Sequence, residues 1–298
     1  MESKKLDVHL SIVVAARNDN YGGDFIHRFQ CFVYHLNTQW SFLPKNCELI
    51  IVDWNSLEDE PTLEQSLSFL EMSDNVQIRI IKVPPSIHKS YQNHQKFGLY
   101  EYIAKNVGIR RAKGEFILAT NPDIIFSDQL LNFLSFTNLK KDSFYRTDRI
   151  DYNGDIDYSQ LISQNFCSIE NSITGKFSYL RREFRDRIIE NDRAYPHASG
   201  DFWLAHRNIW QELNGYREFT TSSHMDAILC FEAIKKGFSQ IVLPSRMNIF
   251  HKDHSREDRR SRPGTNLNEW EQLCQKDDLK NNQSNWGLTN NDFIEIEI

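Results

Sequence analysis

Charged and polar side chains follow three of the strands that the sequence predicts, at the point where each apolar run ends. Arg17-Asn18-Asp19 follows the first run, Asp53 ends the second, and Asn121-Pro122-Asp123 follows the fourth. Because ligands bind beyond the carboxyl ends of the strands in open parallel sheets, we expect these groups to meet at one site. Carboxylates there are typical ligands of a divalent cation, although Asn-Pro-Asp is also a common turn sequence.

Five further side chains that could bind a metal ion or accept a proton lie in the second half of the chain. His251 follows an apolar run and His254 lies three residues beyond it. Asp201 lies in the first half of a predicted strand, and His224 and Asp226 lie at the start of a predicted helix. Imidazole and carboxylate groups bind metal ions and accept protons. The alternatives are structural: a lone histidine is often buried or exposed without a function, and an acid in the first turn of a helix interacts with its dipole.

These residues lie on alternating strands and helices. Short apolar runs predict strands, and apolar residues at three- and four-residue spacing predict helices. The predicted strands are 9–16, 48–53, 76–83, 115–120, 198–205 and one or two within 241–250, and the predicted helices are 25–36, 61–72, 100–112, 127–134, 208–213 and 224–236. This alternation indicates βαβ units, and therefore an α/β fold with a mainly parallel sheet. Gly114 is expected to cap the helix before the fourth strand.

The composition is that of an ordinary globular protein. Of the 298 residues 40% are hydrophobic, and the formal net charge of −6 disfavours nucleic acid as the main partner. No apolar run reaches the ~18 residues of a membrane span, and the first residues lack the apolar core of a signal peptide. We therefore expect a soluble, cytoplasmic protein with no transmembrane segment. Five cysteines without a CxxC pair are expected to be reduced thiols: Cys31, Cys47, Cys167, Cys230 and Cys274.

Six segments carry a recognisable pattern, and they occur in a fixed order between residues 10 and 255. They are Ser11–Asn18, Leu49–Ser56, Asn106–Leu118, Gly200–Tyr216, His224-Met225-Asp226 and Phe250-His251. Together they resemble the family-2-like inverting glycosyltransferases of the GT-A fold. The third segment is the most specific, since its Asn-x-Gly-x-x-x-Ala-x-Gly-Glu-Phe-Ile matches a motif of that family almost residue for residue.

The resemblance implies a GT-A, Rossmann-like architecture: a mainly parallel central sheet flanked by helices, with a smaller subregion on the acceptor side. It places one glycosyltransferase domain at residues 1–255. The nucleotide-binding half is expected at about 8–140 and the acceptor-binding half at about 141–255. Residues 256–298 are then a polar C-terminal extension, expected to be partly flexible, although Trp286 indicates that it packs back on the domain.

The same resemblance assigns the donor site. The implied donor is a nucleotide-sugar, with UDP favoured, whose base would meet Asp53 and stack on Arg17. Arg110 and Asn106 share a helix face and are expected to reach the nucleotide or its diphosphate, with Arg111 as the rival of Arg110 and a solvated helix face as the other alternative. The implied nucleotide-binding residues are Ala15, Arg17, Asp53, Asn106, Arg110 and Asn121.

The family usually carries an Asp-x-Asp motif for a divalent cation after the fourth strand. Here the motif is Asn121-Pro122-Asp123, so only its last acid remains. The resemblance implies that Asp123 and His251 bind Mn²⁺ or Mg²⁺, and His254 could share or replace the role of His251. The cation would stabilise the charge that develops on the departing diphosphate.

The family's general base is an acid at the start of a helix, where this chain has Asp226. Asp226 would take the proton of the acceptor hydroxyl, which belongs to a glycan or another hydroxylated molecule. Asp201 and His224 are the expected acceptor-binding residues. The run from Arg256 to Arg262 is either a lid over the diphosphate or a solvated charged segment.

Two other functions compete with glycosyl transfer. The missing first acid of the metal motif fits a non-catalytic nucleotide- or glycan-binding protein on a decayed glycosyltransferase fold. A sugar-phosphate nucleotidyltransferase uses a similar sheet, but it needs a Gly-rich basic loop near the N-terminus, where this chain has Arg17-Asn18-Asp19-Asn20. The GxGxxG and GxxxxGK[ST] motifs of dinucleotide and P-loop sites are absent from the sequence.

Overall fold

A computed structural model describes residues 8–40, 43–69, 73–155, 177–179, 194–220, 224–254 and 282–298. The strands are β1 (Leu10–Ala16), β2 (Cys47–Trp54), β3 (Val76–Val83), β4 (Phe116–Thr120), β5 (Ile124–Phe126), β6 (Ser143–Arg146), β7 (Arg149–Tyr152), β8 (Phe177–Tyr179), β9 (Phe202–His206), β10 (Ser239–Val242), β11 (Ile249–Lys252) and β12 (Ile294–Glu297). The helices are α1 (Phe25–Trp40), α2 (Leu63–Ser66), α3 (Pro85–Lys89), α4 (Glu101–Arg111), α5 (Asp128–Phe136), α6 (Arg207–Leu213) and α7 (Met225–Lys235), with a short 3₁₀ turn at Trp286–Leu288.

The predicted α/β fold is confirmed. Eight strands form a central sheet in the order β10-β6-β9-β4-β1-β2-β3-β12, and β1, β2, β3 and β4 pair in parallel at its centre. A smaller sheet of four strands has the order β5-β11-β7-β8. The small sheet was not predicted, because strands of three or four residues are too short to show a periodicity.

Both faces of the central sheet are covered, which explains why its middle strands are apolar throughout. Every residue of β1 is buried. Its side chains alternate between two cores, so that Ile12 packs with Phe29 of α1 while Val13 packs with Val107 of α4. Parallel strands buried on both faces have this continuous apolar pattern.

Two local predictions differ from the structure. The helix predicted at 61–72 is only the single turn α2, because Leu67 has an extended backbone (φ −98°, ψ 141°) that ends it. Gly114 does not cap α4, which ends at Arg111 with Ala112 extended. A Cβ on Gly114 would lie 2.5 Å from the backbone nitrogen of Ser11, so this glycine is needed for the close approach of two chain segments.

The described part of the polar C-terminal extension packs against the domain. We call residues 282–298 the C-terminal segment. Its strand β12 pairs antiparallel with β3 at the edge of the central sheet, and Arg79 of β3 forms an ion pair with Glu295 (2.7 Å). Trp286 is buried against α4. The predicted Arg256–Arg262 lid lies outside the described residues.

The described cysteines are buried, and so are most aromatic side chains of the core. Cys31, Cys47 and Cys230 are buried, and burial raises the pKa of the Cys230 thiol to about 11. Cys167 and Cys274 lie outside the described residues. Among the helices that the structure describes, none combines the length and the apolar character needed to cross a bilayer.

Candidate functional site

A cavity of about 260 Å³ opens at the carboxyl ends of β1 and β4, where the sequence predicted a site. Its wall includes Ala15 and Arg17 after β1, Asn121 and Asp123 after β4, and the first turn of α4. The predicted residues Asp201 and His251 also line it, together with His254. Six side chains from distant parts of the chain therefore share one cavity with the backbone of Ala15.

Asp123, His251 and His254 form a cluster that could hold a metal ion, since one ligand atom from each lies within 4.8 Å of the others. His251 Nε2 is 3.7 Å and His254 Nε2 is 3.5 Å from Asp123 Oδ2. The antiparallel pairing of β11 with β5 places His251 opposite Ile124, next to Asp123 in the chain. The strand pairing thus joins a carboxylate and an imidazole that are far apart in sequence.

The charge state of Asp123 suits a metal ligand. Burial raises the pKa of its carboxyl, but the hydrogen bond from His254 and the charges of His251 and Arg28 outweigh burial and hold the pKa below its usual range. Arg28 Nε lies 3.6 Å from Asp123 Oδ2. Metal ligands must be deprotonated, and this carboxylate is held in that form.

His251 is oriented by a second carboxylate. Its Nδ1 lies 2.8 Å from Asp151 Oδ1 on β7, which leaves Nε2 facing Asp123. Such a carboxylate behind a histidine fixes the ring and its tautomer in many metal sites. The residues present therefore fit a divalent cation, with two imidazoles and one carboxylate as donors.

A chain of charged and polar side chains leads from this cluster across the cavity floor. Arg149 forms ion pairs with Asp151 (3.1 Å) and with Asp201 (2.7 Å). Asn121 donates to Asp201 Oδ1 (2.7 Å) and accepts from Lys105 Nζ (2.6 Å). We call these five residues the cavity network. Asn121 and Asp201 line the cavity as predicted, but their side chains are already paired with each other.

Two of the predicted nucleotide-binding residues differ in their access to the cavity. Arg17 lines the wall, where its Nε donates to the Asn55 carbonyl oxygen (2.8 Å) and its Nη1 pairs with Asp19 (3.0 Å). Asp53 does not line the wall and accepts a hydrogen bond from Ser56. Burial raises the pKa of Asp53, and the hydrogen bond opposes this. The structure brings Arg17, and not Asp53, to the cavity.

Asn106 and Arg110, two of the predicted nucleotide-binding residues, do not line the cavity. Asn106 exchanges hydrogen bonds with the backbone of Tyr216 (both 2.8 Å) and donates to Glu218 (3.0 Å). Arg110 lies over the ring of Trp286, 4.9 Å from its centroid. The two residues share a helix face as predicted, but that face contacts the C-terminal segment.

Arg111, the rival of Arg110, also lies away from the cavity. It donates to the carbonyl oxygens of Gly287 (2.8 Å), Leu288 (2.9 Å) and Asn291 (2.9 Å). Its guanidinium therefore satisfies three backbone acceptors of the C-terminal segment.

Asp226 and His224 stand at the start of α7, beside the cavity and not in its wall. Asp226 is partly exposed, and its Oδ2 accepts hydrogen bonds from Ser199 Oγ (2.7 Å) and the Gly200 backbone nitrogen (2.8 Å). His224 precedes the helix with a left-handed backbone (φ 65°). Its side chain is partly exposed.

Sequence reasoning missed Lys105, Arg149 and Asp151, and two of them left a signal. Arg149 and Asp151 alternate along one strand, and residues two apart lie on the same face of a strand. Lys105 precedes Asn106 in the most specific motif, yet its side chain is fully buried and leads to the cavity. A buried lysine needs partners, and here it donates to Glu101, Asn121 and Gly200.

No protein-family model matches the sequence, and no curated protein is significantly similar to it. Solved structures do resemble it. The crystal structure of S. aureus TarS 1-349 in complex with UDP-GlcNAc is 15% identical, with a TM-score of 0.53 over 93% of this chain and 68% of that one. The crystal structure of GalNAc-T7 with UDP, GalNAc and Mn²⁺ is 11% identical, with a TM-score of 0.50 over 85% of this chain and 45% of that one.

These neighbours establish the fold. The central sheet and its flanking helices match those of GT-A glycosyltransferases, so the chain has a GT-A fold. The chain spans 60% of a second TarS 1-349 structure and 37% of a longer TarS structure. Shared architecture at these identities does not establish a reaction, which must be argued from the site.

Proposed function

We propose that this chain transfers a sugar from a nucleotide-sugar donor to an acceptor hydroxyl, assisted by a divalent cation and with inversion at the anomeric carbon. One observation carries the proposal: Asp123, His251 and His254 converge on the wall of the cavity at the carboxyl ends of the GT-A strands.

Asp123, His251 and His254 would hold the cation, and Asp151 would orient His251. A bound cation supplies positive charge that stabilises the diphosphate leaving group. Mg²⁺ prefers an all-oxygen shell, whereas imidazole ligands suit transition metals. The two histidines therefore favour Mn²⁺ over Mg²⁺ as the physiological cation.

The donor would lie along the wall formed by Ala15, Arg17 and Asn121. Arg17 presents a planar guanidinium that is fixed by Asn55 and Asp19, a form suited to stacking on a base. UDP is the proposed nucleotide, since both neighbours were crystallised with uridine nucleotides. The sugar itself is set by the shape of the remaining cavity.

Asp226 is the proposed general base. During transfer the acceptor O–H proton moves to Asp226, and the acceptor oxygen forms a bond to the anomeric carbon. The bond from that carbon to the diphosphate oxygen breaks, and its electron pair leaves with the nucleoside diphosphate. Asp201 is paired with Arg149, so it would orient the acceptor and not take the proton, and His224 remains a proposed acceptor contact.

Inversion is proposed from the placement of the base. Asp226 and Tyr102 both lie close to Gly200 at the edge of the cavity, and direct activation of the acceptor hydroxyl by such a base fits a single displacement.

The first test is a thermal-shift series with UDP, GDP, CDP and dTDP, each with and without Mn²⁺. We expect Mn²⁺ to increase the stabilisation by UDP, since a ligand that binds only the folded state raises its stability. The second step measures UDP release from UDP-Glc, UDP-Gal, UDP-GlcNAc and UDP-GalNAc. Asp226→Asn, which keeps the size of the side chain, should lower turnover by about 10²–10⁴-fold with UDP binding unchanged. No Mn²⁺-dependent shift and no release would contradict the proposal.

A non-catalytic nucleotide-binding protein is the second candidate, and one observation favours it. The buried Arg28 already provides a fixed positive charge 3.6 Å from Asp123. In addition, Asn121 stands in place of the first acid of the metal motif. This candidate predicts a UDP shift of equal size with and without Mn²⁺, and no turnover of any donor.

A further inference from the structure

Tyr102 lines the cavity and is not part of the metal cluster or the cavity network. It is the second residue of α4, and its ring packs on Tyr216 at 4.9 Å between centroids. Lys105 Nζ lies 5.6 Å from the centre of the same ring. These contacts hold the ring in place on both sides, so its hydroxyl has a fixed position.

The Tyr102 hydroxyl makes no hydrogen bond to any residue that the structure describes. Tyr102 is half-buried and lines the cavity, so its O–H group is open to a ligand there. Burial and the nearby charge of Asp226 raise the pKa of Tyr102 well above its usual value, so the phenol is protonated at neutral pH. It therefore presents a hydrogen-bond donor at the cavity wall.

Gly200 shows how close this hydroxyl lies to the proposed base. A Cβ on Gly200 would stand 2.8 Å from Tyr102 Oη and 3.4 Å from Asp226 Oδ2. Both oxygens therefore lie within 3.4 Å of one point, and glycine leaves that point without a side chain. Asp226 Oδ1 accepts no hydrogen bond from the described residues, whereas Oδ2 is held by Ser199 and Gly200.

We propose that the attacking hydroxyl of the acceptor binds between Tyr102 and Asp226, with the Tyr102 hydroxyl donating to its oxygen while Asp226 accepts its proton. This inference rests on the proposed function and adds a second acceptor-binding group to it. Donation from Tyr102 uses one lone pair of the acceptor oxygen and directs its O–H bond toward Asp226. The remaining lone pair faces the cavity, where the donor would lie.

The test uses water as the acceptor, so that no acceptor needs to be identified. UDP release is measured with Mn²⁺ and whichever of the four UDP-sugars the wild-type protein hydrolyses fastest. Tyr102→Phe should lower kcat about tenfold, as loss of one hydrogen bond does, with the KM for the donor and the UDP thermal shift unchanged. Gly200→Ala should lower kcat further, because its methyl group occupies the point between the two oxygens.

Tyr216→Phe is the matched control. It removes the same atom from the adjacent ring, whose hydroxyl is buried without a hydrogen-bond partner among the described residues and does not line the cavity. We expect its kcat to stay within about twofold of wild type. Equal losses in Tyr102→Phe and Tyr216→Phe would show a packing effect and overturn the inference, and so would a wild-type kcat in Tyr102→Phe.

The two proposals fail in different ways. If the wild-type protein hydrolyses none of the UDP-sugars, the proposed function is wrong and the acceptor role of Tyr102 is wrong with it. If the wild type hydrolyses a donor with Mn²⁺ and Tyr102→Phe leaves kcat unchanged, only the role of Tyr102 is overturned.

Discussion

The two ends of α4 carry polar networks of different kinds. At its start, Glu101, Tyr102 and Lys105 border the cavity, and Lys105 joins the cavity network through Asn121. Toward its end, Asn106 and Arg111 bind the backbone of residues 214–218 and of the C-terminal segment. Adjacent residues, Lys105 and Asn106, are both fully buried and serve opposite ends.

This difference shows that a motif can combine two tasks on one helix. The cavity end contains the ionised pair of Lys105 and Glu101 beside the cavity network, an arrangement suited to binding charged ligands. The other end satisfies backbone carbonyl and N–H groups, an arrangement suited to holding the chain together. The comparison therefore predicts that substitutions at the cavity end change activity, whereas those at the other end change stability alone.

The largest effect is expected at Asp123. Asp123→Ala removes the only carboxylate of the metal cluster, so turnover should fall at least ~100-fold and the Mn²⁺-dependent part of the UDP shift should disappear. Turnover and thermal shift with increasing Mn²⁺ measure this. Asp59→Ala, at an exposed acid outside the cavity, is the control and should match wild type. If Asp123→Ala kept the Mn²⁺ dependence of the wild type, Asp123 would not be a ligand of the cation.

A smaller effect on activity is expected from Asp151→Asn, a substitution in the cavity network. The variant keeps the shape of the side chain but loses the charge that orients His251, so the Mn²⁺ concentration for half-maximal activity should rise about 10–100-fold. Activity at saturating Mn²⁺ should recover in large part. A lower plateau with an unchanged Mn²⁺ midpoint would show that Asp151 acts on Asp201 through Arg149 and not on the metal.

Asn106→Ala tests the other end of the comparison. It leaves the backbone of Tyr216 and the carboxyl of Glu218 without their buried partner, which should lower the free energy of unfolding by about 1–3 kcal/mol. Urea unfolding measures this. The kcat and the donor KM of the folded fraction should match those of the wild type. A changed KM would show that Asn106 contributes to nucleotide binding.

The smallest effect is expected from Arg110→Ala. Arg110 is exposed, and its main contact is the face of Trp286, so its removal should cost below about 1 kcal/mol of stability with activity unchanged. Arg110→Lys should recover part of the loss, since the charge is kept over the ring. A loss of donor affinity in Arg110→Ala would contradict the separation of the two ends.

Much of the site was predictable because it follows strand ends. Ala15, Arg17, Asn121 and Asp123 line the cavity, and each follows or ends an apolar run that is easy to recognise. Asp53 also ends such a run, but its side chain is held by Ser56 and does not reach the wall. Strand ends predict a location, whereas the direction of a side chain depends on its neighbours.

The amino-acid sequence by itself determined the order of the main strands and helices, the α/β class and the end of the sheet at which the cavity opens. Local apolar periodicity and the rule for parallel sheets are enough for these. Only the tertiary structure brought His251 and His254 next to Asp123, because the pairing of β5 with β11, which places His251 beside Asp123, has no local signal. It also decided that Asn106 binds Tyr216 and Glu218 and that Arg110 contacts Trp286, since periodicity gives two residues a common face but does not say which part of the chain covers it.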